Sequence, residues 1–465
     1  MIVLRVSTSS GVSRIRLEDS AQRPASMRML QKAVAAKVSL ACAPDNIELS
    51  LRRDFKEMLG TGALRRDLGV ESGSDIYARF RESAGDISLM QHRSHENVRN
   101  ENFVNAEPHD ASKLLSWRQY LSRIGWSASS SRSVAFELQR TDLAPMRLTK
   151  GRPINVPAPI SFPAQVYTHI DKVEFVDLNV FERFLLPWKN SGGRVQRAGL
   201  LYGRYEVFEG DREMIIIEAI YEPPQRQGEG DGDGVRLLHD SYEGQVERIA
   251  DAAGLERVGW VFTHLPRNLE LTSSEVHLAA RFQNAHIRAD PLSGLRRSQF
   301  VTMSITKNVA GEVVPRVFMA TDTAMVIERN DLLDLSETRE LCCLRKPRQN
   351  EIMPSTVDGD SFHPMRLALR LPCSPSDSAS PLFLHNDFPV ANRHTPVTIE
   401  DARSYLRHFE GEALEQRISD FHLLLFLPQV CGIDLPVRIA QTIACREMQD
   451  QYVYNMIHAI VTRHT

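Results

Sequence analysis

The sequence predicts an α+β multidomain protein, on three observations. Residues Ile2–Thr8 and Val12–Leu17 alternate apolar and polar around a Ser-Ser-Gly turn, and Met27, Leu30, Val34 and Val38 then recur at helical spacing. Between Tyr167 and Leu335, strand-like apolar runs alternate with helical ones. From Pro381 to Thr465 the pattern reads mainly helical.

In the first stretch, Pro24 and Ser26 open the helix. A strand at Ile47–Leu51 follows, then Leu64, Leu68 and Gly69-Val70, a turn at Glu71–Ser74 and a closing strand at Asp75–Phe80. This ββαβ order, with Leu-x-x-x-Leu-Gly-Val ahead of the last strand, resembles the ubiquitin-like β-grasp roll. The resemblance implies a docking module over residues 1–81; a generic small α+β domain is the alternative.

Residues 82–165 read as a linker region. They are polar and weakly periodic, with SASSSRS at Ser127–Ser133 and a proline-rich stretch at Pro153–Pro163. One helix is predicted inside them, Ala111–Ile124. Its Leu114, Leu115, Trp117, Tyr120 and Leu121 form either a docking face or a contact with the neighbouring domain.

The third region, 166–335, should hold a helix at Leu178–Trp188 and strands at Arg197–Tyr205, Met214–Tyr221, Val258–Thr263, Phe300–Ile305 and Val313–Ala320. The loop Gln225–Gly234 alternates Asp and Gly without the spacing or terminal Glu of an EF-hand, which favours a solvated insertion over a Ca²⁺ site. The segment Asn330–Ala379, which runs into the last region (336–465), matches no pattern. Pro428 interrupts the apolar run Phe421–Leu427, and Val437–Ile460 is predicted as one helix with Ile439, Ile443 and Met448 inward.

Composition excludes several classes. Lys plus Arg (56) nearly balance Asp plus Glu (59), for a net charge of −3, so no bulk basic field gathers nucleic acid. The six cysteines include no CxxC pair or disulfide-like spacing, which points to a reducing compartment. The opening run is too short for a signal peptide, and no stretch approaches the ~20 apolar residues of a membrane span.

The most informative segment is Gly-Trp-Val-Phe-Thr-His-Leu-Pro at 259–266 with Leu-Thr-Ser-Ser-Glu at 271–275. It resembles the JAMM zinc-hydrolase signature, in which two histidines at a strand end and a carboxylate on the next helix hold a zinc ion with one open position. By position, the first ligand falls on Phe262, the second on His264 and the carboxylate on Glu275, with Thr272 in place of serine. The general base lies ahead of a Gly-apolar-apolar-x-Gly strand, here Gly199–Gly203, and falls on Gln196. A phenyl ring donates no lone pair and an amide takes no proton, so both metal and base are lost. No cofactor is expected. His264 is then a structural histidine in preference to a residual ligand, and a zinc-dependent deubiquitinase with unusual ligands is the rival reading.

Further phrases carry a wider resemblance: Val173-Glu174-Phe175, GLLYGRYE at 199–206, EAIYEPPQ at 218–225, LERVGWVFT at 255–263, FPVANR at 388–393 and SDFHLLLFL at 419–427. The chain resembles the nuclear protein localization protein 4 family. The resemblance implies a ubiquitin-like domain docking on the valosin-containing protein, an AAA ATPase hexamer, then an inactive MPN domain and a C-terminal helical domain. It also implies ubiquitin fusion degradation protein 1 as a partner. In that family the pair delivers polyubiquitylated substrates for unfolding and proteasomal degradation, including ER-associated degradation, in cytoplasm and nucleus and, through partners, at the ER surface. A non-ubiquitin-binding MPN scaffold subunit is a further alternative.

Two departures stand out. Family members carry Cys/His zinc fingers before the MPN domain, but residues 81–341 contain no cysteine, and His92, His95 and His109 offer only imidazole. No C-terminal CxxC finger follows the helical region. The resemblance also implies a groove over the MPN and C-terminal domains that receives an unfolded ubiquitin segment. Such a groove needs an apolar floor and polar clamps. The candidates are Phe262, Thr263, His264 and Leu265 with Phe388, Asn392 and Arg393; core packing is the alternative for the two phenylalanines, and a local cap or pair for Arg393.

Overall fold

A computed structural model describes residues 2–8, 11–17, 25–37, 47–51, 64, 67–68, 70–72, 74–80, 114–126, 136–148, 156–227, 234–308, 311–335, 340–357, 359, 361–376, 379–393 and 395–462. The chain divides into two compact units, Met1–Phe103 and Val104–Thr465.

In the first unit, β1 (Ile2–Thr8) and β2 (Gly11–Leu17) form an antiparallel hairpin, followed by α1 (Met27–Lys37), β3 (Ile47–Ser50) and β4 (Asp75–Phe80). The sheet order is β2-β1-β4-β3, with β1 and β4 parallel at its centre. A parallel central pair requires a long crossover, and α1 lies within it. Ile2, Leu4 and Val6 share one face of β1 and meet Leu30 and Val34 of α1, all at most 1% exposed. Leu64 and Val70 close this core, with the Val70 amide donating to the Leu64 carbonyl, while Leu68 stays partly exposed. The Glu71–Ser74 turn is pinned by the Glu71 amide on Ser74 Oγ. Val38 and Gly69 lie outside the described residues.

The second unit is built on an eight-stranded sheet. Its strands are β5 (Lys172–Phe175), β6 (Ala198–Phe208), β7 (Arg212–Tyr221), β8 (Glu256–Thr263), β9 (Val301–Lys307), β10 (Val313–Ala320), β11 (Ala368–Leu371) and β12 (Cys373–Pro375), in the order β11-β10-β9-β8-β6-β7-β5-β12. The outermost strands come from residues 368–375, so the sheet is completed beyond the expected domain boundary at 335. The sheet is covered on both faces, which explains its near-continuous apolar runs. Leu201, Ile215, Ile217, Val261 and Met303 pack with α3 (Asn179–Asn190). On the opposite face, Leu200, Tyr202, Trp260 and Phe262 pack with α4 (Glu243–Ala252), α5 (Ser273–Ala285), α6 (Asp322–Arg329) and the C-terminal helices.

The glycines of β6 and β8 are steric necessities. A Cβ on Gly203 would sit 2.1 Å from the Ile216 carbonyl oxygen, and one on Gly259 would sit 2.7 Å from that of Val301. The register slips on both sides of β6, between Ile217 and Ala219 of β7 and between Arg257 and Gly259 of β8. Bulges of this kind draw neighbouring backbones close and re-aim side chains.

Several expectations need correction. The helix expected at 111–124 runs only Trp117–Arg123 (α2), because Ser116 caps it in a reciprocal box with Gln119 and Leu115–Ser116 pairs with Tyr167–Thr168. Its aromatic face is spent internally: Trp117, Leu121, Phe136 and Tyr167 form a buried cluster, and Tyr120 stacks on Tyr167. The described parts of 82–165 are therefore packed against the second unit's strands, with Ile160 fully buried. Residues 82–113, with His92, His95 and His109, and Ser127–Ser133 lie outside the described residues. The 225–234 loop begins and ends as a small hairpin, Gln225–Gln227 with Val235–Leu237, and 228–233 lie outside the described residues.

The C-terminal region is helical as expected: Ile399–His408, Leu414–Arg417, Phe421–Phe426, Pro428–Cys431, Asp434–Cys445 and Gln451–Thr462. The single helix expected at 437–460 is two. Arg446 turns left-handed at φ 56°, and the Asp450 carboxylate accepts from the Val453 amide to start the second helix. Met448, in the break, is 81% exposed, and Gln449 turns inward in its place. Among the described residues, no helix is long and apolar enough to cross a membrane.

Candidate functional site

Strand β8 delivers its side chains alternately to the two faces of the sheet. Trp260 and Phe262 lie on the helix-covered face, their rings stacked with centroids 4.8 Å apart, and the Trp260 indole donates to Thr302 Oγ1 at 2.8 Å. Phe262 is 5% exposed and forms part of the core at the first matched ligand position. Thr263 is fully buried, its hydroxyl accepting from the Arg197 amide at 2.8 Å and donating to Gln196 Oε1 at 3.0 Å.

His264 continues the strand, its amide donating to the Ile305 carbonyl. Its Nδ1 lies 2.8 Å from the Leu265 carbonyl oxygen, which accepts, so Nδ1 carries the proton and Nε2 is left as a lone pair. Among the described residues, that Nε2 is buried without a hydrogen-bond partner. Burial, and then the Arg267 guanidinium, hold the imidazole below its ordinary value, which keeps it neutral. Leu265 beside it is half exposed and lies 3.8 Å from where a Cβ on Gly193 would be.

The other matched positions are committed elsewhere. Glu275 closes a capping box with Thr272 at the start of α5, accepting from the Thr272 amide at 2.8 Å. Its carboxylate is also forked by the Arg267 guanidinium, with one contact at 3.0 Å. Gln196 donates its amide to the Gly193 carbonyl at 2.7 Å, and its backbone is clasped by Gln227 on both sides. The donors a JAMM zinc ion would need are thus a phenyl ring, one imidazole and a glutamate held by arginine. These residues do not fit that ion.

The second group of candidates turns inward. Phe388 is fully buried, its ring packed edge-on to Tyr405 and against Phe426, so it offers no groove floor. Its amide and that of Asp387 donate to the buried Asp420 carboxylate, which burial pushes up to about 6. Asn392, left-handed at φ 61°, donates to the Glu222 carbonyl at 2.9 Å and to the Tyr221 hydroxyl at 3.1 Å. Arg393 pairs with Glu222 and donates to the Arg183 carbonyl.

Residues outside the expected set join the two groups. Glu222, 1% exposed, lies between the guanidinium groups of Arg197 and Arg393. Arg197 is the neighbour of Gln196, so one buried carboxylate ties the start of β6 to the 388–393 loop. The available signal was a lone acid ending the apolar run of β7, in EAIYEPPQ. Arg267 and Gln227 carry no comparable local signature, whereas Asp420, directly ahead of the apolar run Phe421–Leu427, stands at a helix N-cap.

The class defined here is an α+β protein whose eight-stranded sheet is covered by helices on both faces. Residues 197–357 match the model of the NPL4 family. It is similar to Nuclear protein localization protein 4 of Debaryomyces hansenii, 30% identical over 308 residues covering 58% of this chain and 53% of that one. The Homo sapiens homolog is 32% identical over 309 residues, 58% of this chain and 50% of its own length, and the Drosophila melanogaster homolog 29% over 313 residues, 58% and 47%. The chain spans about half the length of the curated relatives it matches.

Proposed function

We propose that this chain is a non-catalytic adaptor that binds ubiquitin and polyubiquitylated proteins. In this reading it delivers them, with ubiquitin fusion degradation protein 1, to the valosin-containing protein (cell-division-cycle 48 type) ATPase for unfolding and proteasomal degradation, ER-associated degradation included. The single observation that carries the reading is the state of the four matched positions. Phe262 is a core ring, Glu275 is held by Arg267 and Thr272, Gln196 is bonded as an amide, and only His264 keeps a ligand-type lone pair.

The N-terminal unit serves here as the ubiquitin-like module that docks on the ATPase, and the eight-stranded unit as an inactive MPN domain with its helical extension. Its sheet order and central parallel pair support the first assignment. With Phe388 and Phe262 in the core, the binding surface narrows to exposed Leu265, which lies against buried Gly193. The protein would work in cytoplasm and nucleus, reaching the ER surface through partners.

Pull-down of the ATPase and of ubiquitin chains by the purified chain, alone and with its partner, tests this. Retention of both is expected. Failure to retain either, in both formats, would overturn the proposal, and a tight assembly without ubiquitin affinity would replace it with a scaffold.

A further inference from the structure

The chain carries 47 arginines and 9 lysines, although lysine is ordinarily among the commonest residues. The imbalance sharpens along the sequence, and residues 347–465 hold ten arginines and no lysine. Arginine is preferred over lysine where its planar fork reaches two carboxylate oxygens at once. Arg267, Arg297 and Arg345 are such cases, forked onto Glu275, Glu213 and Glu351. The fork explains nothing at Arg123, Arg226, Arg236, Arg281 and Arg296. All five are exposed, and among the described residues their guanidinium groups have no ion pair or hydrogen bond.

At such positions the two side chains supply the same charge and differ in reactivity. A lysine amine that has lost its ammonium proton attacks the thioester joining the C-terminal glycine of ubiquitin to a conjugating enzyme. A C–N bond forms, the C–S bond breaks, and a proton from the amine ends on the sulfur as a thiol. A guanidinium keeps its proton and does not take this step.

The second unit holds six lysines, of which Lys113 and Lys150 lie outside the described residues. Lys172 is ion-paired with Glu174 and sits over the Phe208 ring, and Lys307 Nζ lies 5.3 Å from the centre of the Trp188 ring. Both are half-buried. Lys189, in the last turn of α3, and Lys346, in the exposed stretch 346–350, differ from them. Each is exposed, and among the described residues neither amine has an ion pair, hydrogen bond or ring contact.

We infer that the second unit withholds acceptor amines from ubiquitin conjugation, and that Lys189 and Lys346 are its acceptor sites among the described residues. Arginine at the exposed positions keeps the surface charged and soluble without offering a nucleophile. The inference rests on the adaptor reading, because a protein that holds ubiquitylated cargo works within reach of conjugating enzymes and would otherwise be marked as cargo itself.

The test is reconstituted ubiquitylation of the full chain with ATP, activating enzyme, and a conjugating enzyme and ligase of broad lysine specificity. Mass spectrometry reads the Gly-Gly remnant that trypsin leaves on each modified lysine. Remnants should fall on Lys189 and Lys346 and spare Lys172 and Lys307. A variant combining Arg123→Lys, Arg226→Lys, Arg236→Lys, Arg281→Lys and Arg296→Lys should take up about threefold more ubiquitin or better, at the substituted positions. Far-UV circular dichroism confirms its fold. Remnants on Lys172 or Lys307 equal to those on Lys189 and Lys346 would overturn the inference, as would no gain in the folded variant. Binding of ubiquitin chains is not read by this assay. A chain that retains them in pull-down and shows either of those results therefore sinks this inference alone, whereas loss of retention sinks the adaptor reading.

Discussion

The carboxylate of Glu222, at the end of β7, is shared with Arg393, 171 residues further along the chain. Because Arg197 grips the same carboxylate from β6, one buried acid fastens the central sheet to the loop that leads into the C-terminal helices. Buried pairs of this kind add little over an apolar packing, but breaking one strands uncompensated charge. Glu222→Ala should therefore destabilise the second unit by about 3–5 kcal/mol, measured by urea denaturation. Arg393→Ala leaves Glu222 its other partner and should cost less.

Strand β6 makes a second, sharper demand. Gly203→Ala places a methyl group 2.1 Å from a backbone oxygen that has no rotamer to escape into. A loss of about 3 kcal/mol or more is expected, or failure to accumulate as soluble protein. Gly244→Ala, where an added Cβ meets nothing within 4 Å, is the control and should leave the thermal midpoint unchanged or raised.

Acid should act on the 420–422 pair with two opposite signs. Burial pushes His422 down to about 3, against about 6.5 in an unfolded chain. Across that window the unfolded state binds the proton and the folded state does not, so stability rises with pH and is lost as acid is added. Asp420, raised to about 6, works in reverse: from about 4 to 6 the folded state keeps the proton, and stability falls as pH rises. His422→Phe should remove the rising component, up to about 1.4 kcal/mol per pH unit, in denaturant midpoints taken between about pH 4 and 6.

Restoring the missing ligand should not restore the metal. Phe262→His puts a polar ring into a stacked apolar layer and should destabilise the fold by about 2–4 kcal/mol. It leaves Glu275 held by Arg267 and Thr272, so elemental analysis should find no stoichiometric zinc. Adding Arg267→Ala removes the charged partner of that carboxylate, leaving only its Thr272 cap, and is the variant in which zinc binding should first be detectable.

Much of this architecture is legible in the residues. The hairpin and helix of the first unit follow from the alternation of Ile2, Leu4 and Val6 and the spacing of Leu30 and Val34, which a one-residue slip would destroy. The central strands are legible because a sheet buried on both faces writes long apolar runs. Strands at 368–375 are too short to leave a pattern. The helix break at Arg446 is masked because the apolar spacing of Ile439 and Ile443 resumes at Val453 and Ile457. At the site, the loss of a donor at Phe262 is written in one residue. What holds Glu275 and Glu222 is not, because ion pairing between distant side chains has no local periodicity, and the inward turn of Phe388 is decided by helices 17 to 38 residues later.

The most direct test is the fate of isopeptide-linked ubiquitin chains incubated with the purified chain and its partner, before and after treatment with a zinc chelator. The adaptor account predicts chains retained intact, with the same affinity in both conditions. Cleavage abolished by the chelator, or no retention in either condition, would contradict it.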